Sequence, residues 1–256
     1  MMNVADPTPY PEINAVLHAL LAAVRAALGR HFAGMYLYGS LASGDFNPDT
    51  SDIDFLVVTA GELPDEMIPA LVELHARVPG GVSPWAMKLE GRYLPQLALR
   101  RYNPADPPRP CVHEGRLYLG VQESDWIIHR YTLREQGVAF AGPALRTLID
   151  PVGPDDLRWS ALGILREWWA PMLDDPARLR SSEYQAYAVL TMCRALHTLQ
   201  HGTVVSKLVA ARWAQQALGA RWAPLIERAV AWKHDDPMDS CDETLAFIRY
   251  ALQRAG

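Results

Sequence analysis

Apolar residues Ile13, Val16, Leu17, Leu20, Leu21 and Val24 recur at the i, i+3, i+4, i+7 spacing of one helical face. They predict an amphipathic helix over residues 11–30, with Pro11 in a first-turn position that suits its fixed φ. The pattern then shortens. Apolar runs at 35–38 and 53–59 read as strands. Residues 63–78 return to helical spacing and stop at the breaker Pro79-Gly80-Gly81. Residues 85–93 predict a third strand and 117–121 another, while the proline-rich stretch 102–116 between them predicts an irregular loop.

From residue 124 onward the 3.6-residue period dominates, with helices expected over 157–172, 182–200, 206–218, 222–233 and 242–254. Ile149-Asp-Pro-Val-Gly-Pro-Asp-Asp156 interrupts it with two prolines and a glycine, the signature of a boundary. The outline is an α/β domain over 1–150 followed by an all-helical domain over 151–256.

Composition narrows the class. No apolar run reaches the roughly 18 residues of a membrane span, and the N-terminus lacks the basic start and apolar core of a secretory signal. The three cysteines, Cys111, Cys193 and Cys241, lie far apart without metal-ligand spacing. Such sparse usage points to reduced thiols and a cytoplasmic protein with no membrane partner. A net charge of −5 weighs against a nucleic-acid partner and is compatible with a cationic small molecule. Nothing fixes the oligomeric state; a monomer is the working expectation.

The strongest chemistry lies between residues 36 and 58, Tyr-Leu-Tyr-Gly-Ser-Leu-Ala-Ser-Gly-Asp-Phe-Asn-Pro-Asp-Thr-Ser-Asp-Ile-Asp-Phe-Leu-Val-Val. On a strand, Asp52 and Asp54 project to one face while Ile53 and Phe55 enter a core. Two carboxylates on one face repel and resist desolvation, a conflict that divalent cations remove. Mg²⁺ takes one or two carboxylates and completes its octahedron with phosphate and water. An i, i+2 pair can also hold two ions about 4 Å apart, as in-line phosphoryl transfer uses. Upstream, Gly39-Ser40 ends a strand where the backbone can approach a bulky anion and present N–H groups to it.

Gly39-Ser40, Gly44 and Ser51-Asp52-Ile53-Asp54 with its apolar tail resemble the signature of the polymerase-beta-type nucleotidyltransferase superfamily. The resemblance implies a small mixed sheet with helices on one side, Mg²⁺ on Asp52 and Asp54, and nucleotide phosphates over Gly39 and Ser40, with Ser51 beside them.

In the second half, Gly202 reads as a helix-ending glycine and Ser206 as the N-cap of the next helix. Lys207 then occupies the first helical position, where a cation opposes the dipole. A local rule broken without visible gain often marks a functional site. Arg194, one helix earlier, could reach the same anion with its guanidinium fork. This segment, with Ala141-Gly-Pro-Ala-Leu-Arg-Thr-Leu-Ile-Asp-Pro-Val152, resembles the aminoglycoside adenylyltransferases that modify streptomycin and spectinomycin. The resemblance runs over roughly residues 30–235. It implies ATP as co-substrate, a helical domain closing the active-site cleft, and Arg194 and Lys207 on the ATP phosphates. It also implies a third acid as general base, for which Glu90 is the candidate. The family's aromatic and acidic streptomycin contacts fall where this chain reads Trp168-Trp169-Ala-Pro-Met-Leu-Asp-Asp-Pro-Ala-Arg178-Leu-Arg180-Ser-Ser-Glu-Tyr184, whose arginines would repel a guanidinium-bearing drug. A transferase acting on another small molecule, a protein or an RNA end, and a non-catalytic nucleotide-binding module, are the alternatives. The module predicts loss of a metal carboxylate or of Gly-Ser, and both are present. His197 and His201 have zinc-like i, i+4 spacing but no third ligand at motif distance.

Overall fold

Helix α1, Pro11–Leu28, forms where the helical period places it and buries Ile13, Leu17, Leu20 and Val24. The computed structural model of the chain describes residues 6–77, 83–233 and 236–256. It divides into two units, Met1–Glu123 with Arg130–Pro151 and Ser124–His129 with Val152–Gly256. The expectation that no apolar stretch reaches membrane-spanning length is corrected by α1 and the 3₁₀ turn after it: Pro11–His31 has 21 residues and contains an 18-residue window with a mean hydropathy of 1.3. Its apolar stripe is used in the core, in one cluster with Met35, Leu37, Phe55 and Val57.

Around α1 the first unit builds β1 (Phe32–Leu37), α2 (Gly39–Ser43), β2 (Ile53–Thr59), α3 (Ile68–Arg77), β3 (Leu89–Pro95), α4 (Gln96–Arg100), β4 (Arg109–His113) and β5 (Arg116–Gly120). Helix α5 (Trp126–Gln136), whose residues up to His129 fall in the second unit, β6 (Val138–Ala141) and α6 (Leu145–Leu148) follow. One six-stranded sheet results, in the order β5-β4-β3-β2-β1-β6. Among the described residues β2 and β3 pair in parallel and the other neighbours antiparallel, so the sheet is mixed. Ile53, Phe55 and Val57 on alternate positions of β2 join the cluster with α1 and Leu71 of α3.

Three local expectations change. Residues 84–88 form a 3₁₀ turn opened by Ser83, whose hydroxyl accepts from the Trp85 N–H, so the third strand starts at Leu89. The proline-rich loop contains β4. Its Arg109 is buried and bound by Glu62 and Asp106, and its Cys111 and Val112 pair with β3. Burial opposes the Arg109 charge, but the two carboxylates outweigh it and hold the guanidinium above its ordinary pKa. Strand β6, four residues long, was not foreseen; it pairs with β1. The predicted helix end at 78 and the breaker Pro79-Gly80-Gly81 lie outside the described residues.

His75 on α3 is fully buried, with Nε2 2.8 Å from the Tyr93 hydroxyl. Burial lowers its pKa from 6.5 to about 4. Folding therefore favours the neutral ring. Its contribution is complete above about pH 6.5 and is lost as pH falls toward 4, reaching about 3 kcal/mol. Urea unfolding at pH 7.5 and 5.0 should show a steeper acid loss for the wild type than for His75→Gln, which keeps a partner for Tyr93 but does not titrate. Equal losses would remove His75 from the acid response.

The second unit is helical: α7 (Pro154–Gly163), short turns through Arg180, α8 (Ser182–His201), α9 (Lys207–Ala217), α10 (Ala223–Ala231) and α11 (Cys241–Ala255). Trp169, Val189, Met192, Ile226 and Phe247 share its core. Gly202 ends α8 at φ +65°, and the Ser206 hydroxyl accepts from the Val209 N–H at 3.3 Å, as the capping pattern predicts. All three cysteines are free, and burial pushes the Cys193 thiol up to about 12.

Candidate active site

Strand register assembles the site in the first unit. Asp54 on β2 pairs with Glu90 on β3 in the parallel ladder. In-register neighbours share a sheet face with strands about 4.8 Å apart, so the two carboxylates stand side by side. Asp54 is half-buried and Glu90 exposed. Asp52, just before β2, is exposed at the mouth of the strand. Arg92, two residues beyond Glu90, shares its face and donates to the Val121 carbonyl at 2.9 Å.

The Gly-Ser turn is fastened to the same spot. The Tyr38 N–H donates to the Asp54 carbonyl at 3.2 Å. Gly39 opens α2 at φ +66°. A Cβ there would overlap Asp54 Oδ2 and stand 2.7 Å from Cγ. Glycine is required twice over, by conformation and by the carboxylate lying against it. Ser40 follows in the first turn of α2.

The loop between α2 and β2 is held at several points. The Ser51 N–H donates to the Asn47 carbonyl at 2.8 Å, and the Ser51 hydroxyl accepts from the Asn47 N–H at 3.0 Å. Lys88 Nζ donates to the Pro48 carbonyl at 2.8 Å. The Phe46 ring packs between Tyr10 and Trp85, with centroids 5.0 and 5.8 Å away. Ser51 thus shapes the turn that delivers Asp52.

Asp52 and Asp54 offer hard oxygen ligands beside a glycine surface with no side chain. Among the described residues no group of three His, Cys, Asp or Glu could hold a metal by itself. A Mg²⁺ ion fits two carboxylates of this kind only if phosphate and water supply its remaining positions. The donor set therefore suits a metal that arrives with a nucleotide.

In the second unit, Arg194 is half-buried on α8 and Lys207 is exposed at the start of α9, its Nζ 5.3 Å from the Tyr187 ring centre. Arg178 lies over the Trp168 ring at 4.9 Å, and Trp168 Nε1 donates to the Tyr184 hydroxyl at 3.0 Å. His197 and His201 have ring centroids 4.5 Å apart and both meet Trp213 edge-on. Sequence reasoning missed His113, whose Nδ1 is 3.8 Å from Glu90 Oε1. The proline-rich stretch hid its strand, so no local pattern pointed to it.

The Gly-Ser turn against the Asp-x-Asp strand of a mixed sheet is the arrangement that the resemblance to the nucleotidyltransferases implies. A family model of the nucleotidyltransferase domain matches residues 21–88, and one of the aminoglycoside adenylyltransferase C-terminal domain matches residues 147–254. An aminoglycoside (3'') (9) adenylyltransferase from Escherichia coli is 27% identical, with 93% of each chain covered. A counterpart from Shigella flexneri is 26% identical over the same shares. Spectinomycin 9-adenylyltransferase from Campylobacter jejuni is 24% identical over 77% of this chain and 76% of its own. The fold matches spectinomycin adenyltransferase AAD(9) from Enterococcus faecialis, solved with ATP and spectinomycin. That match has a TM-score of 0.73 and 19% identity, and covers 94% of this chain and 98% of the other. The chain is an enzyme, similar over most of its length to the aminoglycoside adenylyltransferases.

Proposed function

We propose that this enzyme transfers AMP from ATP to a hydroxyl of an aminoglycoside-type antibiotic in the cytoplasm, in a Mg²⁺-dependent reaction that confers resistance. The observation that carries this reading is the in-register pair Asp54 and Glu90 beside Gly39. Asp52 and Asp54 hold Mg²⁺, with two ions expected, and the metal supplies charge neutralisation at the triphosphate. Gly39, Ser40 and Ser51 cradle the phosphates, and Arg194 and Lys207 are the further cations assigned to phosphate binding. Glu90 accepts the proton of the substrate hydroxyl. The freed oxygen bonds to the α-phosphorus, the α–β phosphoanhydride bond breaks, and pyrophosphate leaves.

Spectinomycin suits the chain better than streptomycin. Arg178 lies over the Trp168 ring, and its charge disfavours a second guanidinium, such as streptomycin's, beside that ring. Glu90→Gln should keep ATP affinity, measured by calorimetry, and lower turnover about 10²-fold or more. Unchanged turnover would move the base elsewhere.

A further inference from the structure

We propose that His113 is a positioning residue for Glu90, restricting its carboxylate to one orientation on the sheet face it shares with Asp54; the inference rests on the assignment of Glu90 as the base. Register brings the two together. Gly91 pairs with Val112 and Arg92 with Cys111 in the antiparallel ladder of β3 and β4. One step back along β3 is Glu90, and one step on along β4 is His113. Asp54, Glu90 and His113 therefore form a row across three neighbouring strands. Glu90 sits between a carboxylate on one side and an imidazole on the other.

The hairpin after His113 fixes its place. Glu114 and Gly115 both have positive φ, 49° and 71°, and connect β4 directly to β5 in a two-residue turn. Turns of this geometry match the twist of the strands and lock register. They normally use asparagine or aspartate before glycine, so Glu114 sits in a conformation that non-glycine residues seldom adopt. His113 then pairs with Arg116 on β5 and cannot slip.

The separation of 3.8 Å between His113 Nδ1 and Glu90 Oε1 is too long for a hydrogen bond but close enough for attraction. Contacts of this sort tighten when substrate arrives. Both side chains are about half exposed, at 58% and 48%. A side-chain contact this open adds little to stability, so a large effect of removing it belongs to the chemistry.

The experiment is a double-mutant cycle in the full chain with Mg²⁺, ATP and spectinomycin. His113→Phe should lower kcat roughly tenfold, the scale at which groups that orient a reacting ligand act, with KM for ATP unchanged. His113→Gln, which retains an N–H donor, should recover part of the loss. In the Glu90→Gln background His113→Phe should have no further effect, because the residue it positions is gone. Wild-type kcat for His113→Phe, or the same tenfold loss in the Glu90→Gln background, would overturn the role of His113 and leave Glu90 as base. Unchanged kcat for Glu90→Gln alone would overturn both, and would be told apart by that single variant.

Discussion

Asp54→Asn is expected to reduce AMP transfer by at least ~10³-fold, about 4 kcal/mol of transition-state stabilisation, while leaving the fold intact. Asp54 lies at the start of β2, where Phe55, Leu56, Val57 and Val58 are fully buried. Its carboxylate is half-buried next to Glu90 and stands against Gly39. Asparagine matches its shape and keeps the backbone bond to Tyr38, so packing survives. What is lost is the negative charge that draws a divalent cation. Stability supplies a second readout. A ligand that binds only the folded chain raises the unfolding midpoint in proportion to ln(1 + [L]/Kd). Mg²⁺ with ATP should raise the midpoint of the wild type and raise that of Asp54→Asn much less. Ordinary turnover by Asp54→Asn would defeat the metal assignment.

Gly39→Ala is expected to have an effect of similar size by a different route. The new methyl would overlap the Asp54 carboxylate, and the φ of +66° strains any L residue there. The strain alone costs about 1–2 kcal/mol of stability. Displacing the carboxylate should lower transfer by ~10²-fold or more, on the scale of losing one oriented catalytic group. Gly44→Ala separates the two contributions. Gly44 has φ +80°, yet a Cβ there meets nothing within 4 Å. It should lose comparable stability and keep most of its activity. Equal activity loss in both variants would mean that loop strain, rather than the Asp54 contact, governs the site.

How much of this was legible in the chain depends on how local each signal was. Helix α1 follows from six apolar positions, and β2 from an uninterrupted apolar run. The Asp52 and Asp54 pair announced itself because carboxylates at the head of a buried strand need a reason. Ser206 and Gly202 are capping residues whose effect stays within one turn. Elements that depend on partners far along the chain were harder. Strand β4 is carried by Cys111 and Val112 against β3 and by Arg109 against Glu62, 47 residues away, so its prolines misled. Strand β6 is four residues completed by pairing with β1. Glu90 could be nominated from sequence, but its pairing with Asp54 is a matter of register between strands 36 positions apart. His113 needed two such registers at once.

The position of Arg178 shows another limit. Its charge suggested repulsion of a cationic drug, and the structure adds that the guanidinium is stacked on Trp168. Sequence gives the charge; packing decides which surface it covers.

The most direct measurement follows the label. The purified chain is incubated with Mg²⁺, spectinomycin or streptomycin, and ATP labelled at either the α- or the γ-phosphate, and the products are separated. Label from the α-phosphate should appear on spectinomycin and, far more weakly, on streptomycin, while label from the γ-phosphate should appear only in pyrophosphate. Antibiotic carrying the γ label, or no labelled antibiotic under conditions where the wild type binds ATP, would contradict adenylyl transfer by this site.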